Sequence, residues 1–552
     1  MSKTAEAMPA DERASVTIES VRPIIGMEIH VELATVSKMF ARAASPAFAG
    51  CTAAPEPLAN TLLDPVVMAL PGALPGLNRR AVELSVLVGL ALNCSIAPET
   101  KWDRKSYTYP DLPKGYQISQ YDLPLCYDGY LDVPGLGEKG AFDLEGGFSR
   151  VGIIRAHLEE DAGKLSHEAP GGGAIDGSLV DLNRAGTPLL EIVTQPDLAS
   201  ADEAVAFCRL LRMICRFVGA TEGVMQKGHM RFEPNINCEL TLAGGRTVRT
   251  PITEVKNLNS FRAVSGAIEH EIAQQPGRWR ETGLEFGPGT KTTRGWDDNR
   301  GVTVIQREKE DAHDYRYFPD PDLPTLVVEE AWVEEIRGSL PELPLERLVR
   351  WRESIGLGAD EGAVLIEERA DAELFDAAVD EVVSPGSTTA DPDDGKKKKK
   401  KGAKGIGRER AGKAVANIVL QQVARLANER GCSLAGVGLD AVQIAAIARL
   451  READDISAAN AGKLVEQLAE PGYEGRDPAG VAEYEGWLIV RDEGAMQGWV
   501  DEVIAANPEI VEQIRGGKQQ AVGRLIGEVM GKSGGSADAK AVRAMLIERI
   551  GS

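Results

Sequence analysis

The clearest pattern of hydrophobic and polar positions lies near the start of the chain, over residues 24–33. Polar and apolar residues alternate strictly there, which predicts a β-strand with Ile29 and Val31 on one face. Glu28 and His30 fall on the other face, and this imidazole is one of only six in the chain. A histidine between carboxylates suits a divalent cation. A solvent-facing strand is the alternative explanation of the same pattern.

Two further patterns predict helices within the first part of the chain. Residues 78–92 begin with Asn78 as a candidate N-cap, and residues 200–219 begin with a capping pair of Ser200 and Glu203. Strand patterns alternate irregularly with these helices up to about residue 330. The predicted fold class is therefore α+β, with a mixed or antiparallel sheet rather than a regular βαβ repeat.

The second half of the chain has helical periodicity throughout, apart from a low-complexity stretch at about residues 384–410. That stretch contains six consecutive lysines, Lys396–Lys401, and reads either as a basic arm that touches RNA or as a solvated loop insertion. The predicted organisation is a disordered leader (1–20), a catalytic domain (21–335), an all-α linker domain (336–482) and a small all-α tail domain (483–552).

Composition and charge narrow the class of protein. A chain of 552 residues exceeds the size of one core. It has no apolar run of about 18 residues, so no membrane span is predicted. Seven dispersed cysteines without a C-x-x-C pair indicate a reducing cytoplasm. The net charge of −22 argues against a polyanionic partner unless basic residues form local patches.

A second acidic stretch complements the first strand. Glu159, Glu160 and Asp161 stand in succession, two residues after His157. Carboxylates this close repel one another unless a cation or solvent neutralises them. Such a cluster is a candidate Mg²⁺ site for a phosphate substrate, and an acidic surface turn is the alternative.

Several other strand-like stretches carry polar side chains that pack poorly unless they line a site. They supply Glu191, Glu233, Glu254 and Lys256. Residues 101–122 interleave bases, including Lys105, with four tyrosines, as in a surface that faces phosphates or nucleotides. The chain shows no G-x-S-x-G, no H-E-x-x-H and no persuasive Cys/His pair, so it contains no recognisable amidase.

Six stretches of the sequence together resemble one known family. They read IGMEIHVEL, DRKSYTYPDLPKGYQISQYD, HLEEDAGK, DLNRAGTPLLEIV, EVKNLNSF and HDYRYFPDPDLP, in that order along the chain. The family is that of the B subunits of bacterial tRNA-dependent amidotransferases. The likeness begins near residue 22 and includes the tail, where residues 517–535 resemble the family's tRNA-binding domain.

The resemblance implies a fold and a reaction. The amino-terminal domain is expected to resemble glutamine synthetase and guanidino kinases. ATP would phosphorylate the side-chain carboxylate of Glu-tRNA(Gln) and/or Asp-tRNA(Asn), with Mg²⁺, and ammonia would displace the phosphate. A glutaminase A subunit would supply the ammonia, and a small C subunit would complete the heterotrimer. A non-catalytic tRNA-binding scaffold and a stand-alone carboxylate kinase are the alternatives.

The resemblance also assigns roles to residues. Glu28, His30 and Glu160, with Glu159, match the metal positions, and Glu160 also counts as catalytic. Glu191, Glu233 and Glu254 are further candidates for metal or for the ammonia path, and Lys105 and Lys256 are candidate catalytic residues that face phosphate or that path. The expected tRNA-binding residues are Arg515, Lys518, Arg524 and Lys532.

The sequence departs from the family pattern at two places. Many members carry a zinc knuckle of four cysteines, whose positions here are Ala41, Ala43, Asp64 and Val67. Without those thiolates no zinc is expected. The arginine-led strand, which usually has an aspartate, has Glu233 instead.

Overall fold

The structure is a computed structural model that describes residues 8–48, 57–137, 139–169, 172–308, 315–384, 406–516 and 518–551. The chain divides into two compact units, Met1–Glu346 and Arg347–Ser552. The predicted boundary at residue 482, between linker and tail domain, stays a prediction. The lysine run lies outside the described residues. None of the described helices is both long enough and apolar enough to cross a bilayer.

The first unit is built on one large mixed sheet. Its thirteen described strands are β1 (Ile18–Glu32), β2 (Ser95–Ile96), β4 (Asp103–Ser106), β5 (Tyr116–Ser119), β6 (Cys126–Leu136), β7 (Phe142–Glu160), β10 (Pro188–Thr194), β11 (Met230–Leu242), β12 (Thr247–Arg249), β13 (Thr253–Lys256), β14 (Thr292–Asp297), β15 (Val302–Glu308) and β16 (Phe318–Pro319). The central path runs β15-β14-β13-β11-β1-β10-β7-β5-β4-β16, with β12 paired to β11 and with β6 paired to β2 and β7. Every pairing among these strands is antiparallel except that of β13 with β14.

Two small sheets complete the strands. One pairs β3 (Glu99–Thr100) with β17 (Leu326–Val327), and the other pairs β8 (Lys164–Glu168) with β9 (Ala174–Asp181). Both pairs are antiparallel. Neither pair is hydrogen-bonded to the strands of the large sheet.

The core of this unit lies on the apolar face of the large sheet. On β1 the alternation predicted from the sequence is present, because Ile29 and Val31 are fully buried. Helices α2 (Arg79–Ala91), α3 (Ala201–Phe217) and α4 (Phe261–Thr282) pack against strands of the sheet. The α+β fold predicted from the sequence is confirmed.

Both predicted helices of the first unit are confirmed with their caps. Asn78 accepts a hydrogen bond from the backbone N–H of Ala81, 3.2 Å away, at the start of α2. Ser200 likewise accepts from the backbone N–H of Glu203 at the start of α3. These side chains satisfy backbone donors that have no partner inside the helix.

The predicted leader differs from the structure over its described part. Helix α1 (Ala10–Ser15) forms there, and β1 begins at Ile18, inside the range predicted to be disordered. Met8 packs into an apolar cluster with Leu240 and Trp279. The sequence pattern missed this because the stretch has too few apolar residues to show a period.

The second unit is helical. Its described α-helices are α6 (Pro344–Ile355, which begins at the end of the first unit), α7 (Ala359–Leu365), α8 (Arg369–Val383), α9 (Arg408–Ile418), α10 (Ala424–Arg430), α11 (Ala441–Glu452), α12 (Ala458–Leu468), α13 (Pro478–Tyr484), α14 (Glu493–Ala506), α15 (Pro508–Arg515), α16 (Val522–Lys532) and α17 (Ala539–Gly551). A π-helical turn, Val419–Val423, joins α9 to α10, and α5 (Glu330–Arg337) closes the first unit. The tail helices share an apolar cluster that includes Val500, Val503 and Leu525.

Candidate functional site

The polar face of the large sheet brings together side chains from three central strands. His30 of β1 lies directly opposite Glu191 of β10 and opposite Arg231 of β11. One pleat away, Glu28 lies opposite Glu233. Because directly opposed residues of an antiparallel pair point to the same face, these five side chains share one side of the sheet.

The same row continues across the next strands. Glu191 lies opposite His157 of β7, and Glu159 follows two residues later on the same face. Strands β5 and β4 extend the row to Lys105, which lies opposite Gln117. Residues far apart in sequence therefore converge because the strand order places β4, β5, β7, β10, β1 and β11 side by side.

Two metal-type groups lie on this face, and they share His30. The first, which we call the Glu233 group, consists of Glu28, His30 and Glu233; the second, the Glu191 group, consists of His30, Glu159 and Glu191. Within each group the candidate ligand atoms lie within 4.8 Å of one another. The Nε2 atom of His30 lies 3.5 Å from Glu191 and 3.9 Å from Glu28. One imidazole thus stands between two sets of carboxylates.

The carboxylates control the protonation of this imidazole. Burial alone would lower the pKa of His30, but the hydrogen bond to Glu191 and the charge of Glu233 outweigh burial and raise that pKa to about 9. Burial lowers the pKa of His157, on the outer side of Glu191, to about 4. Burial and the neighbouring Glu191 raise the pKa of Glu159 to about 7. The face therefore concentrates negative charge around one histidine, which has to release its extra proton before it can bind a metal ion.

The donor atoms present fit a divalent cation. Carboxylate oxygens are the ligands that Mg²⁺ prefers, and an imidazole beside them also suits Mn²⁺. The Nδ1 atom of His30 is buried and has no hydrogen-bond partner among the described residues. The side chains of His30 and Glu191 are only 12% and 11% exposed. Buried carboxylates this close together need a positive counter-charge, which a cation supplies.

Two lysines flank the two groups, one on each side. Lys256 contacts Glu233 directly and lies 3.5 Å from Glu254. Burial alone would lower the pKa of Lys256, but these two carboxylates, Glu233 foremost, outweigh it and raise the pKa above its ordinary value. Lys105 lies among Glu159 and its neighbours, which raise its pKa in the same way. Both amines are cationic and poised beside carboxylates.

Aromatic side chains surround Lys105. Its Nζ atom lies 5.1 Å from the ring centre of Tyr315, and the rings of Tyr121 and Tyr317 stack 4.2 Å apart. Residues 101–122 indicated tyrosines near this amine, but Tyr315 and Tyr317 were not singled out from the sequence. They come from the stretch 315–324, which β16 joins to the edge of β4. The residues just before it, 309–314, lie outside the described part of the chain.

Two predicted metal residues lie outside both groups. Glu160 follows Glu159 on β7 and therefore points to the opposite face. There its carboxylate contacts Lys114 and accepts from the backbone N–H of Ile118, 3.0 Å away. Glu254 lies one strand beyond β11 and accepts from the hydroxyl of Thr293 at 3.0 Å. The sequence predicted that Glu160 would join Glu28 and His30 at one site. The structure places Glu160 elsewhere, so this prediction is wrong.

A further polar network borders the Glu233 group. Arg231 contacts Asp161 and lies 3.8 Å from Glu32. Arg184, from the turn before β10, lies 3.5 Å from the same oxygen of Asp161. From the sequence, Asp161 was expected only as part of the acidic cluster with Glu159 and Glu160, and Glu32, Arg184 and Arg231 had no assigned role. The alternation that places His157, Glu159 and Asp161 on one face was the available signal.

The two loop segments that carry Ala41, Ala43, Asp64 and Val67, the positions compared above with zinc-knuckle cysteines, are joined by a carboxylate. Asp64 accepts hydrogen bonds from the backbone N–H groups of Arg42 and Ala43, at 3.1 and 3.3 Å. Its other oxygen accepts from the N–H groups of Val66 and Val67, both at 3.0 Å. One side chain thus ties together two loop segments. The absence of zinc remains a prediction.

The four basic residues predicted to bind tRNA all lie exposed in the tail. Lys532 pairs with Glu502 at 2.6 Å, and Arg515 donates to the backbone carbonyl of Ile550 at 3.1 Å. The side chains of Lys518 and Arg524 have no partner among the residues that the structure describes. These two cations are the freest of the four to meet an external anion.

Comparisons with known proteins give a consistent result. A family model described as the GatB/GatE catalytic domain matches residues 23–334, and a model described as the GatB domain matches residues 404–550. A protein of Anaeromyxobacter dehalogenans, named as the B subunit of aspartyl/glutamyl-tRNA(Asn/Gln) amidotransferase, is 42% identical over 536 residues, which cover 97% of this chain and 99% of that protein. Proteins of the same name from Geobacter sulfurreducens and Rhodopirellula baltica are 40% and 39% identical, and the alignments cover 96% and 99% of this chain and 98% and 99% of those proteins.

Proposed function

The chain belongs to the family of aspartyl/glutamyl-tRNA(Asn/Gln) amidotransferase B subunits, and from this premise we propose that it activates and amidates a misacylated aminoacyl-tRNA. The substrate is Glu-tRNA(Gln), Asp-tRNA(Asn) or both. ATP phosphorylates the side-chain carboxylate, and ammonia then displaces the phosphate to give Gln-tRNA(Gln) or Asn-tRNA(Asn). The observation that carries the proposal is the shared-histidine cluster on one sheet face with a lysine on each side.

The first step is a phosphoryl transfer. The bond between the γ-phosphorus of ATP and its bridging oxygen breaks, and a bond from that phosphorus to the substrate carboxylate oxygen forms, so that ADP leaves. Enzymes catalyse such transfers mainly by positioning the reactants and by placing cations near the developing charge. A divalent ion, Mg²⁺ in this proposal, supplies charge neutralisation on the phosphates when it is bound. Glu28, His30 and Glu233, with Glu159 and Glu191, would hold it.

The chain's own cations complete the site. Lys105 is half-buried between carboxylates and tyrosines, where it stays protonated and presents a fixed positive charge. Lys256 does the same beside Glu233 on the other side. In the second step ammonia attacks the acyl phosphate, the carbon–oxygen bond to phosphate breaks, and inorganic phosphate leaves. Both lysines are candidates to hold the departing phosphate or to line the path of ammonia.

The ammonia requires partner subunits. The chain shows none of the amidase motifs, so we propose that a glutaminase A subunit and a small C subunit join it in a cytoplasmic heterotrimer. The tail supplies free cations, Lys518 and Arg524, for the tRNA. Local charge of this kind is compatible with the net charge of −22, because nucleic-acid affinity depends on the residues that meet phosphate.

The test separates catalysis from scaffolding. A reconstituted complex with an inactive glutaminase receives free ammonia, ATP, Mg²⁺ and Glu-tRNA(Gln). The wild-type complex is expected to form Gln-tRNA(Gln), whereas Glu28→Ala and Glu191→Ala abolish it. Glu239→Ala on β11 is the matched control, because that carboxylate lies far along the strand in an exposed pair with Arg22. Full activity of the Glu28→Ala and Glu191→Ala variants would identify the chain as a scaffold.

A further inference from the structure

Two arginines converge beside the Glu233 group without a role in the proposal above. Arg231 lies on β11 directly opposite His30, on the same face of the sheet. Its guanidinium contacts Asp161, and the same oxygen of Asp161 lies 3.5 Å from Nε of Arg184. Two guanidiniums therefore meet at one carboxylate oxygen, next to the candidate metal ligands.

Both arginines are held in place by the fold. Arg184 donates through Nε to the carbonyl of Ala162 at 3.0 Å and through Nη2 to the carbonyl of Gly163 at 2.6 Å. Backbone carbonyls cannot swing away, so they fix the plane of this guanidinium. Arg231 is fixed at its base by the pairing of β11 with β1 and at its tip by Asp161. Such pre-organised donors lose little entropy when a ligand arrives.

The two guanidiniums have more donors than the protein uses. Each has about five N–H donors in a rigid fork. The described partners account for bonds to Asp161, Ala162 and Gly163, and the nearest oxygen of Glu32 lies 3.8 Å from Arg231. The Nε atom of Arg231 is buried without a hydrogen-bond partner among the described residues. A buried donor without an acceptor keeps its desolvation cost, so the protein alone does not saturate this guanidinium.

The site is open enough to admit such an acceptor. The side chains of Arg184 and Arg231 are each about one-third exposed, whereas Asp161 beneath them is buried. Guanidinium donors of fixed geometry suit the oxygens of a phosphate group. The chemistry of the neighbouring groups points the same way, since carboxylates around His30 are a candidate site for the ion that accompanies ATP.

We propose that Arg231 and Arg184 form a phosphate clamp that binds the phosphoryl group while it passes from ATP to the substrate carboxylate. The inference rests on the proposed function and deepens it. The clamp contacts the non-bridging oxygens of the transferring group, and Asp161 holds both guanidiniums in position. Neither arginine gains or loses a proton in the step.

The experiment measures phosphoryl transfer separately from amidation. The complex receives ATP, Mg²⁺ and Glu-tRNA(Gln) without any amide donor, and tRNA-dependent ADP formation is followed. Arg231→Ala and Arg184→Ala should each slow it by about 100- to 1000-fold, the usual effect of removing one charge-stabilising donor. Glutamine hydrolysis in the same complexes should be unchanged. Arg22→Ala is the matched control, because Arg22 lies exposed on β1 in a pair with Glu239.

Chemical rescue distinguishes contact with phosphate from a structural role. Millimolar guanidinium should restore ADP formation at least tenfold in Arg231→Ala, and methylammonium should not. Arg231→Lys keeps the charge without the fork and should fall between wild type and Arg231→Ala. An unchanged rate in Arg231→Ala, or a loss that guanidinium does not restore, would overturn the clamp. If the wild-type complex forms no tRNA-dependent ADP, the proposed function itself fails instead.

Discussion

Replacement of Asp64 by alanine should loosen the loops at the head of α2. The carboxylate receives two hydrogen bonds from the N–H groups of Arg42 and Ala43 and two from its own turn at Val66 and Val67. Only the first two join separate segments. Because the side chain is half-buried, we assign each of these two bonds about 1 kcal/mol, which is below the roughly 1.5–3 kcal/mol of hydrogen bonds to charged groups.

The loss of about 2 kcal/mol then applies to local opening of the two segments rather than to global unfolding. A change of about 1.4 kcal/mol is tenfold in an equilibrium constant, so the amide hydrogens of Arg42 and Ala43 should exchange about 30-fold faster in Asp64→Ala. Hydrogen exchange read by mass spectrometry or NMR measures this directly. The amides of Val88 and Leu90, inside α2, should exchange at the wild-type rate.

A conservative variant sharpens the result. Asp64→Asn keeps one acceptor oxygen of similar geometry and should preserve one of the two pairs of bonds. The amide exchange rates of Arg42 and Ala43 in this variant should therefore lie between those of the wild type and those of Asp64→Ala. Equal protection of Arg42 and Ala43 in all three proteins would refute the reasoning. Faster exchange throughout α2 would refute it too, because the carboxylate would then support the helix and not the loop connection.

Three more predictions concern the metal groups, a buried lysine and the tail. His30→Ala should weaken Mn²⁺ binding, measured by calorimetry or EPR, at least about tenfold. Glu160→Ala should leave Mn²⁺ affinity near that of the wild type, because that carboxylate points to the other face of the sheet. Equal losses of affinity in the two variants would contradict the site. Burial lowers the pKa of Lys38 from 10.5 to about 8, so between those pH values the unfolded chain holds a proton that the native chain does not. The free energy of unfolding should therefore rise with pH by up to about 3 kcal/mol across that interval. Denaturant titrations should show a smaller rise in Lys38→Met, and an identical rise would refute the assignment. Charge reversal at Lys518 and Arg524 should weaken tRNA binding and flatten its salt dependence more than charge reversal at Lys532, because Lys532 already pairs with Glu502. Equal effects of the two reversals in a salt titration would contradict a tRNA contact at Lys518 and Arg524.

The sequence predicted the polar strand face but not the register that completes it. The alternation around Glu28 and His30 was enough to place both side chains on one side of β1. Which side chains lie opposite them depends on pairings with β10 and β11, and no local pattern encodes a pairing between strands so far apart. The polar side chains in other strand-like stretches made Glu191 and Glu233 candidates, and the structure places them opposite His30 and Glu28.

The expectation for Glu160 shows where sequence reasoning was incomplete. Three acidic residues in a row suggested one cluster, but successive strand residues point to opposite faces, so Glu159 and Glu160 separate. The same rule applied to the sequence would have grouped Glu159 with His157 and Asp161. The partner of Lys532 could not be predicted either, because Glu502 lies on another tail helix and the pair depends on helix packing.

The position of β1 in the sheet also has a consequence for synthesis of the chain. Its two hydrogen-bonded neighbours are β10, which begins at Pro188, and β11, which begins at Met230. A ribosome that adds about 5–20 residues per second needs roughly 8–30 s to go from the end of β1 to β10 and roughly 10–40 s to reach β11. Until β10 is made, the nascent β1 has neither neighbour to pair with, and both of its edges expose unpaired backbone groups. Exposed edges of this kind invite aggregation, so the amino-terminal segment of this chain is where a nascent-chain chaperone would be most needed.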